Sequence, residues 1–291
     1  MDATASRSGS RFARWRNIAW RTGFDLLEMD TSLRCAGVAF FAFLSLFPAL
    51  ASVVLIVGLV VNSGFLVDSV ERLEGLVPTS ILSLIHDQML ALITAPHEKL
   101  GIGLVIAVIL ALWSGSRGVN ALLYSVSRTR KEPDKRSIVV AIAASLVVTV
   151  LGAVGLIIAL SLVAILPAIL ALPFVGLGDS LLLLLRWPVL FALAVLGFAG
   201  FYRYAPDRHP KRFRRVLPGA MLAALLWLAA CALFSFYVEN FGNYDATFGS
   251  LSVAVVLLLW MYNSALILVL GAAFNHEIDI EKGDAARRSQ A

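Results

Sequence analysis

The sequence predicts an all-α polytopic membrane protein: a bundle of six transmembrane helices, with an N-terminal amphipathic helix and short helices on the outer side. Three observations lead there. Hydrophobic residues make up 59% of the chain and charged ones 15%, against roughly 25% charge in a soluble domain; the mean hydropathy is +0.85. The apolar residues are gathered into long runs, of which Leu251 to Phe274 is 24 residues without a charge. About 20 such residues cross the hydrocarbon as a helix, the structure that bonds every backbone group internally. Finally, lysine and arginine collect in alternate connections, which is the charge pattern of a chain that crosses a membrane repeatedly.

In order along the chain, residues 1–33 form a leader. Its first apolar run begins only after Arg34 and is too long for a signal-peptide core. Phe12, Trp15, Ala19 and Leu26 share one helical face, and Arg14, Arg21, Asp25 and Glu28 the opposite one. This is either an interfacial helix lying on the membrane or a soluble cap on the bundle. The transmembrane domain is expected over 34–276, with spans near 35–61, 100–126, 138–166, 186–204, 217–238 and 251–274, followed by a tail over 277–291.

The first span carries Arg34, Gly37, Phe41, Ser45, Pro48 and Ser52 along one arc. Small and polar residues on one side of a membrane helix face other helices, or a transport path. Pro48 should kink the helix or free a carbonyl. The connection 62–99 is too long to be structureless, and its second part, from Pro78-Thr79, sets Ile81, Ile85 and Leu92 against Ser83 and Asp87.

In the second span, Trp113, Arg117, Asn120 and Tyr124 recur at helical spacing and so lie along one face. An arginine inside a span is costly enough to suggest function; it also has a structural reading, snorkelling to the nearby interface and bonding a neighbouring helix end. The third span holds Ala141, Ser145, Thr149 and Gly152 as another small-residue stripe. At the fourth, Arg186-Trp187 reads as an interfacial anchor. Pro218-Gly219 opens the fifth.

Lysine and arginine number six in the leader through Arg34, five in 127–137, six in 203–215 and three in the tail, against Arg72 and Lys99 alone on the other side. Cytoplasmic loops keep the positive charge, which puts both termini inside. The basic character is thereby explained without nucleic acid. Cys35 and Cys231 each fall in an apolar span and read as packing residues, not a disulfide or metal framework.

Several short stretches occur together in order: Trp113-Ser-Gly-Ser-Arg-Gly-Val-Asn-Ala-Leu122, Tyr202-Arg-Tyr-Ala-Pro206, Leu217-Pro-Gly-Ala220, Tyr244-Asp-Ala-Thr-Phe-Gly-Ser-Leu251, Leu259-Trp-Met-Tyr262 and Gly271-Ala-Ala-Phe-Asn275. On these the chain, from about residue 15 to 280, resembles the YihY/BrkB family of bacterial inner-membrane proteins. The resemblance implies six spans and a bacterial inner-membrane location. Members of that family have been labelled virulence or serum-resistance factors, ribonuclease BN and transporters. The chain departs from the family pattern at Asp245, where asparagine is usual, and at Ala273, where glutamate is usual.

Three functional readings follow. A membrane ribonuclease would need clustered His and Asp ligands for a metal. His86, His97, His209 and His276 are scattered, two expected on each side of the membrane, and no phosphate loop or nucleophile triad is present. The sequence thus implies no catalytic residue, metal or cofactor. A transporter, exporter or lipid-translocating permease for an anionic or amphiphilic substrate would use Arg34, Ser45, Arg117, Asn120, Asn263 and Asn275 as its path. Basic residues at the cytoplasmic interface suit an anionic lipid or amphiphile as partner, beside the bilayer itself. The glycine-bracketed turn Gly242, Asn243, Tyr244, Asp245 to Gly249 is the candidate outer gate, folding back into the bundle mouth or forming a plain hairpin. The third reading is a non-transporting scaffold or regulator of envelope integrity, whose polar stripes glue helices together.

Overall fold

Apolar runs of this length have one way to satisfy their backbone in lipid, and they take it. In the computed structural model six long helices follow one another: α1 (Met29–Val60), α2 (His97–Arg128), α3 (Ile138–Leu170), α4 (Asp179–Tyr204), α5 (Phe213–Phe241) and α6 (Ser250–Arg288). The structure describes these helices together with residues 16, 18, 20–23 and 137. The connections, including the long 61–96 segment with its expected amphipathic piece and the whole turn 242–249, lie outside the described residues.

Five of the six helices contain stretches long and apolar enough to cross a membrane: Asp30–Ile56, Leu100–Arg128, Ile138–Ile158, Phe213–Tyr237 and Ala254–Glu281. In α4 the described apolar stretch is shorter, Pro188–Tyr204. The protein is therefore a polytopic helical membrane protein. Several helices outrun their expected spans. α1 begins at Met29 rather than Cys35, and α6 continues past Phe274 to Arg288. Hydropathy marks the hydrocarbon, whereas a helix ends only where its backbone is broken, and no glycine or proline interrupts α6 between Gly271 and Gly283.

The chain forms two compact units, residues 41–115 and residues 1–40 with 116–291. In the smaller unit, the end of α1 meets the start of α2 where the Leu55 side chain lies against Gly103. Its described serines bond their own helices. Ser45 Oγ donates to the Ala42 carbonyl at 2.8 Å, Ser52 Oγ to Pro48 at 2.7 Å, and Ser114 Oγ to Leu110 at 2.6 Å. A hydroxyl that returns its proton to a carbonyl of the preceding turn satisfies itself in lipid without a partner helix.

In the larger unit two clusters hold the helices together. Leu123 and Val126 of α2, Val195, Ala199 and Tyr202 of α4, Val216, Ala220, Ala223 and Ala224 of α5, and Ala272 of α6 make the first. The second joins Cys35 and Val38 of α1 to Ala265 and Val269 of α6, with Ala121 and Leu122 of α2 against it. Alanine dominates because lipid supplies no hydrophobic drive between helices. Close backbone approach, and the dispersion it brings, has to do the work. Trp227 of α5 adds polar and aromatic contacts: its Nε1 donates to Ser264 Oγ of α6 at 3.1 Å, and its ring meets Trp260 of α6 and Phe198 of α4 at 6.2 and 6.0 Å.

Before α1, Ile18 and Thr22 are buried while Trp20 and Arg21 are exposed, and Arg21 reaches Glu277 of α6 at 3.9 Å. The described residues Ile18 and Thr22 therefore face the protein, with Arg21 beside α6. Of the face expected from Phe12, Trp15, Ala19 and Leu26, all four residues lie outside the described ones.

Candidate functional site

Arg34 sits in the second turn of α1, after Asp30, four residues earlier and in the helix's first turn, where a carboxylate meets the positive end of the helix dipole. The two side chains form an ion pair. The guanidinium of Arg34 also lies over the Tyr124 ring of α2, 5.2 Å from its centroid. Just before it, Ser32 and Tyr262 of α6 share a 2.6 Å hydrogen bond between hydroxyls. Three helices are thus tied at the end of the bundle that bears the basic connections.

Arg117 lies on the same exposed face of α2 as Tyr124, seven residues away, which is ~10 Å along the helix. Asn120, half-buried, borders that face between them. From Arg128, the last residue of α2, Arg117 is ~16 Å into the span by helical rise. The stripe Arg34, Tyr124, Asn120, Arg117 therefore runs from the basic end toward mid-membrane, with a guanidinium at each end and an amide between. A planar guanidinium binds phosphate or carboxylate through paired hydrogen bonds, and the amide adds a donor and an acceptor. Such a set of groups is chemically suited to an anion.

The remaining expected path residues take other positions. Ser45 spends its proton on its own helix. Asn263 is exposed on the side of α6 that also carries Val255 and Leu259. Asn275 is 2% exposed and wholly engaged: its Oδ1 accepts the Gly219 N–H at 2.8 Å and its Nδ2 donates to the Val216 carbonyl at 3.0 Å. The candidate outer-gate turn falls outside the described residues.

What Asn275 does follows from Pro218. A proline inside a helix has no N–H for the carbonyl four residues back and presses its ring against it, so the first turns of α5 are weakened at Arg214. Asn275 gives the adjoining turn an acceptor and a donor from outside the helix. It can reach because α5 and α6 touch through glycine. A Cβ on Gly219 would lie 2.6 Å from Asn275 Cγ and would meet the Gly271 carbonyl oxygen; one on Gly271 would lie 2.7 Å from the Gly219 oxygen and 2.8 Å from Ala223 Cβ. Tyr202, 1% exposed, closes the group from α4 by donating its hydroxyl proton to the Leu268 carbonyl at 2.8 Å.

Tyr202, Gly219 and Gly271 were not among the residues expected to matter singly, although each lies in one of the short stretches that carry the family resemblance. The available signal was the pair of glycines, each beside a proline or alanines, in helices that otherwise had every reason to avoid them. Among the described residues, no group of three or more His, Cys, Asp or Glu side chains is placed to hold a metal ion.

Comparison with known proteins agrees with this picture of a helical membrane protein. The chain is 32% identical over 251 residues to the ribonuclease-like protein YfkH of Bacillus subtilis, covering 83% of this chain and 88% of that protein. It is 28% identical over 173 residues to a UPF0761 membrane protein of Pseudoalteromonas translucida, covering 59% of this chain and 55% of the relative. A UPF0761 membrane protein of Tolumonas auensis is 38% identical over 99 residues, 34% of this chain and 31% of the relative. These two alignments thus span about half and a third of the UPF0761 proteins' own length. No solved structure matches the chain. The family model described as virulence factor BrkB matches residues 25–291, nearly the whole chain, and the protein belongs to that family.

Proposed function

We propose that this protein is a permease or exporter of the inner membrane that takes up an anionic amphiphile by its head group, with both chain termini on the cytoplasmic side. The observation that carries this is the stripe on α2: an arginine ~16 Å inside a span, on an exposed helix face, in line with a second arginine stacked on Tyr124 at the basic end. An arginine at that depth marks a functional candidate, and its planar guanidinium suits the paired acceptors of an anionic head group. Arg34 receives the anion at the interface, Asn120 bridges, and Arg117 holds it at depth.

A scaffold reading is favoured by a different observation. Asn275, Tyr202 and the buried Ser52, Ser114, Ser125 and Ser145 all satisfy helix backbone, which is what a rigid assembly platform requires. A nuclease, which the name of the Bacillus relative suggests, would need a set of metal ligands. The described residues provide no such cluster.

The test measures transport and abundance together. Purified protein is reconstituted into vesicles containing fluorescent phosphatidylglycerol, and movement of the head group between leaflets is followed for Arg117→Ala and Arg117→Lys. The permease reading expects wild-type protein to move the lipid, Arg117→Ala to lose at least tenfold at normal abundance, and Arg117→Lys to recover only part. A well-folded Arg117→Ala that moves lipid as fast as wild type would sink it. Wild-type protein that moves none, with Arg117→Ala failing to accumulate, would instead favour the scaffold. Release of acid-soluble fragments from RNA by the wild-type protein would revive the nuclease.

A further inference from the structure

The uncharged run of α6 extends from Leu251 to Phe274, and Asn263 stands 12 residues from its start and 11 from its end. By helical rise that is ~17 Å from either boundary, the centre of the hydrocarbon. Its side chain is exposed, and so are Val255 and Leu259, eight and four residues earlier on the same side. α6 cannot turn this side inward, because its opposite side is already buried through Ala265, Val269 and Ala272. A primary amide offers two donors and an acceptor. Acyl chains offer neither, so at this depth the amide needs a polar partner.

We propose that Asn263 is the centre of a self-association surface, and that a second copy of this chain covers it. The partner must present both a donor and an acceptor at the same depth as Asn263. A two-fold axis along the membrane normal meets that requirement automatically, since it brings one Asn263 level with the other, and two amides are mutually complementary. Val255 and Leu259 supply the flanking apolar contacts of a helix pair, with the amides setting register as a lone buried asparagine does in a coiled coil. The surface lies on the outward side of α6 and does not use the Arg34–Arg117 stripe.

The experiment is oxidative cross-linking in native membranes, in a Cys35→Ala/Cys231→Ala background. Leu259→Cys reports on the proposed surface, and Leu225→Cys, exposed on α5, is the control for random collision. Copper phenanthroline should convert Leu259→Cys to a species of twice the mass well above the Leu225→Cys level. Adding Asn263→Leu or Asn263→Val should lower that yield, normalised to abundance, by about three- to twentyfold, the range one interhelical amide contact gives in a membrane. Two apolar variants are used so that poor insertion of one does not decide the result. Yield at Leu259→Cys no higher than at Leu225→Cys overturns the proposal. So does a yield that both Asn263 variants leave unchanged; if lipid movement is lost at the same time, the amide faces cargo instead.

Discussion

The contact between Gly219 and Gly271 can be tested by adding a single methyl group. In Gly271→Ala the new Cβ would lie 2.7 Å from the Gly219 carbonyl oxygen, 2.8 Å from Ala223 Cβ, and against the Tyr202 hydroxyl. Comfortable separations for such pairs are about 3.5 Å or more, so α5 and α6 must part by something near 0.7 Å or the side chains must yield. Overpacking of this kind costs about 1–3 kcal/mol. Displacing Tyr202 from the Leu268 carbonyl and Asn275 from the Gly219 N–H loses hydrogen bonds worth about 1 kcal/mol each and strands their partners in a dry interior. Against this, alanine gains about 1 kcal/mol of helix propensity. The balance is a loss of about 3 kcal/mol, on the order of 5–10 °C in the thermal midpoint of detergent-solubilised protein. The control is Gly197→Ala on α4, where nothing lies within 4 Å of the added Cβ; it should be neutral or mildly stabilising. Combining Gly271→Ala with Tyr202→Phe, which removes one of the obstructing atoms, should cost less than the sum of the two single changes. Equal midpoints for Gly271→Ala and Gly197→Ala would refute the close-approach account.

Replacing Asn275 by alanine or leucine leaves the Gly219 N–H and Val216 carbonyl without their partner, and the thermal midpoint should drop by the equivalent of about 2–4 kcal/mol, with leucine no better than alanine despite its added apolar area. Reporter fusions after residues 90, 132, 177, 209, 244 and 288 should read outside, inside, outside, inside, outside, inside; a cytoplasmic signal at 90 or 244 would break the six-span arrangement, whose motive is the distribution of lysine and arginine. Asn243→Cys and Thr247→Cys in a cysteine-free background should react slowly with an impermeant thiol reagent if the turn folds back into the bundle, whereas rapid labelling at both would make it a plain hairpin. Removing the stacking ring with Tyr124→Ala should weaken the seating of Arg34 and lower head-group movement severalfold, and Tyr124→Phe, which keeps the ring face, should not.

Most of the architecture could be read directly from the chain, because hydropathy and helical periodicity are local. A run such as Leu251–Phe274 has a single stable form in lipid wherever its neighbours sit. The alignment of Arg117 with Tyr124 needed no more than helical spacing, and the hydroxyls of Ser45, Ser52 and Ser145 bond carbonyls three or four residues back on their own helices. The role of Asn275 could not be found this way. As a polar residue at the end of an apolar run it reads equally as a path residue or as a marker of the interface. Only the packing of α5 on α6, 56 residues away in sequence, shows that its amide completes the backbone beside Pro218. Nor could spacing decide that Arg34 stacks on Tyr124, or that Asn263 looks outward while Ala265 and Val269 look in. Hydrophobicity, which tells inside from outside in water, is silent between helices in a bilayer, where the core and the lipid are equally apolar. Which face meets which neighbour is decided by how closely two backbones can approach, and that is a property of pairs of helices rather than of either sequence alone.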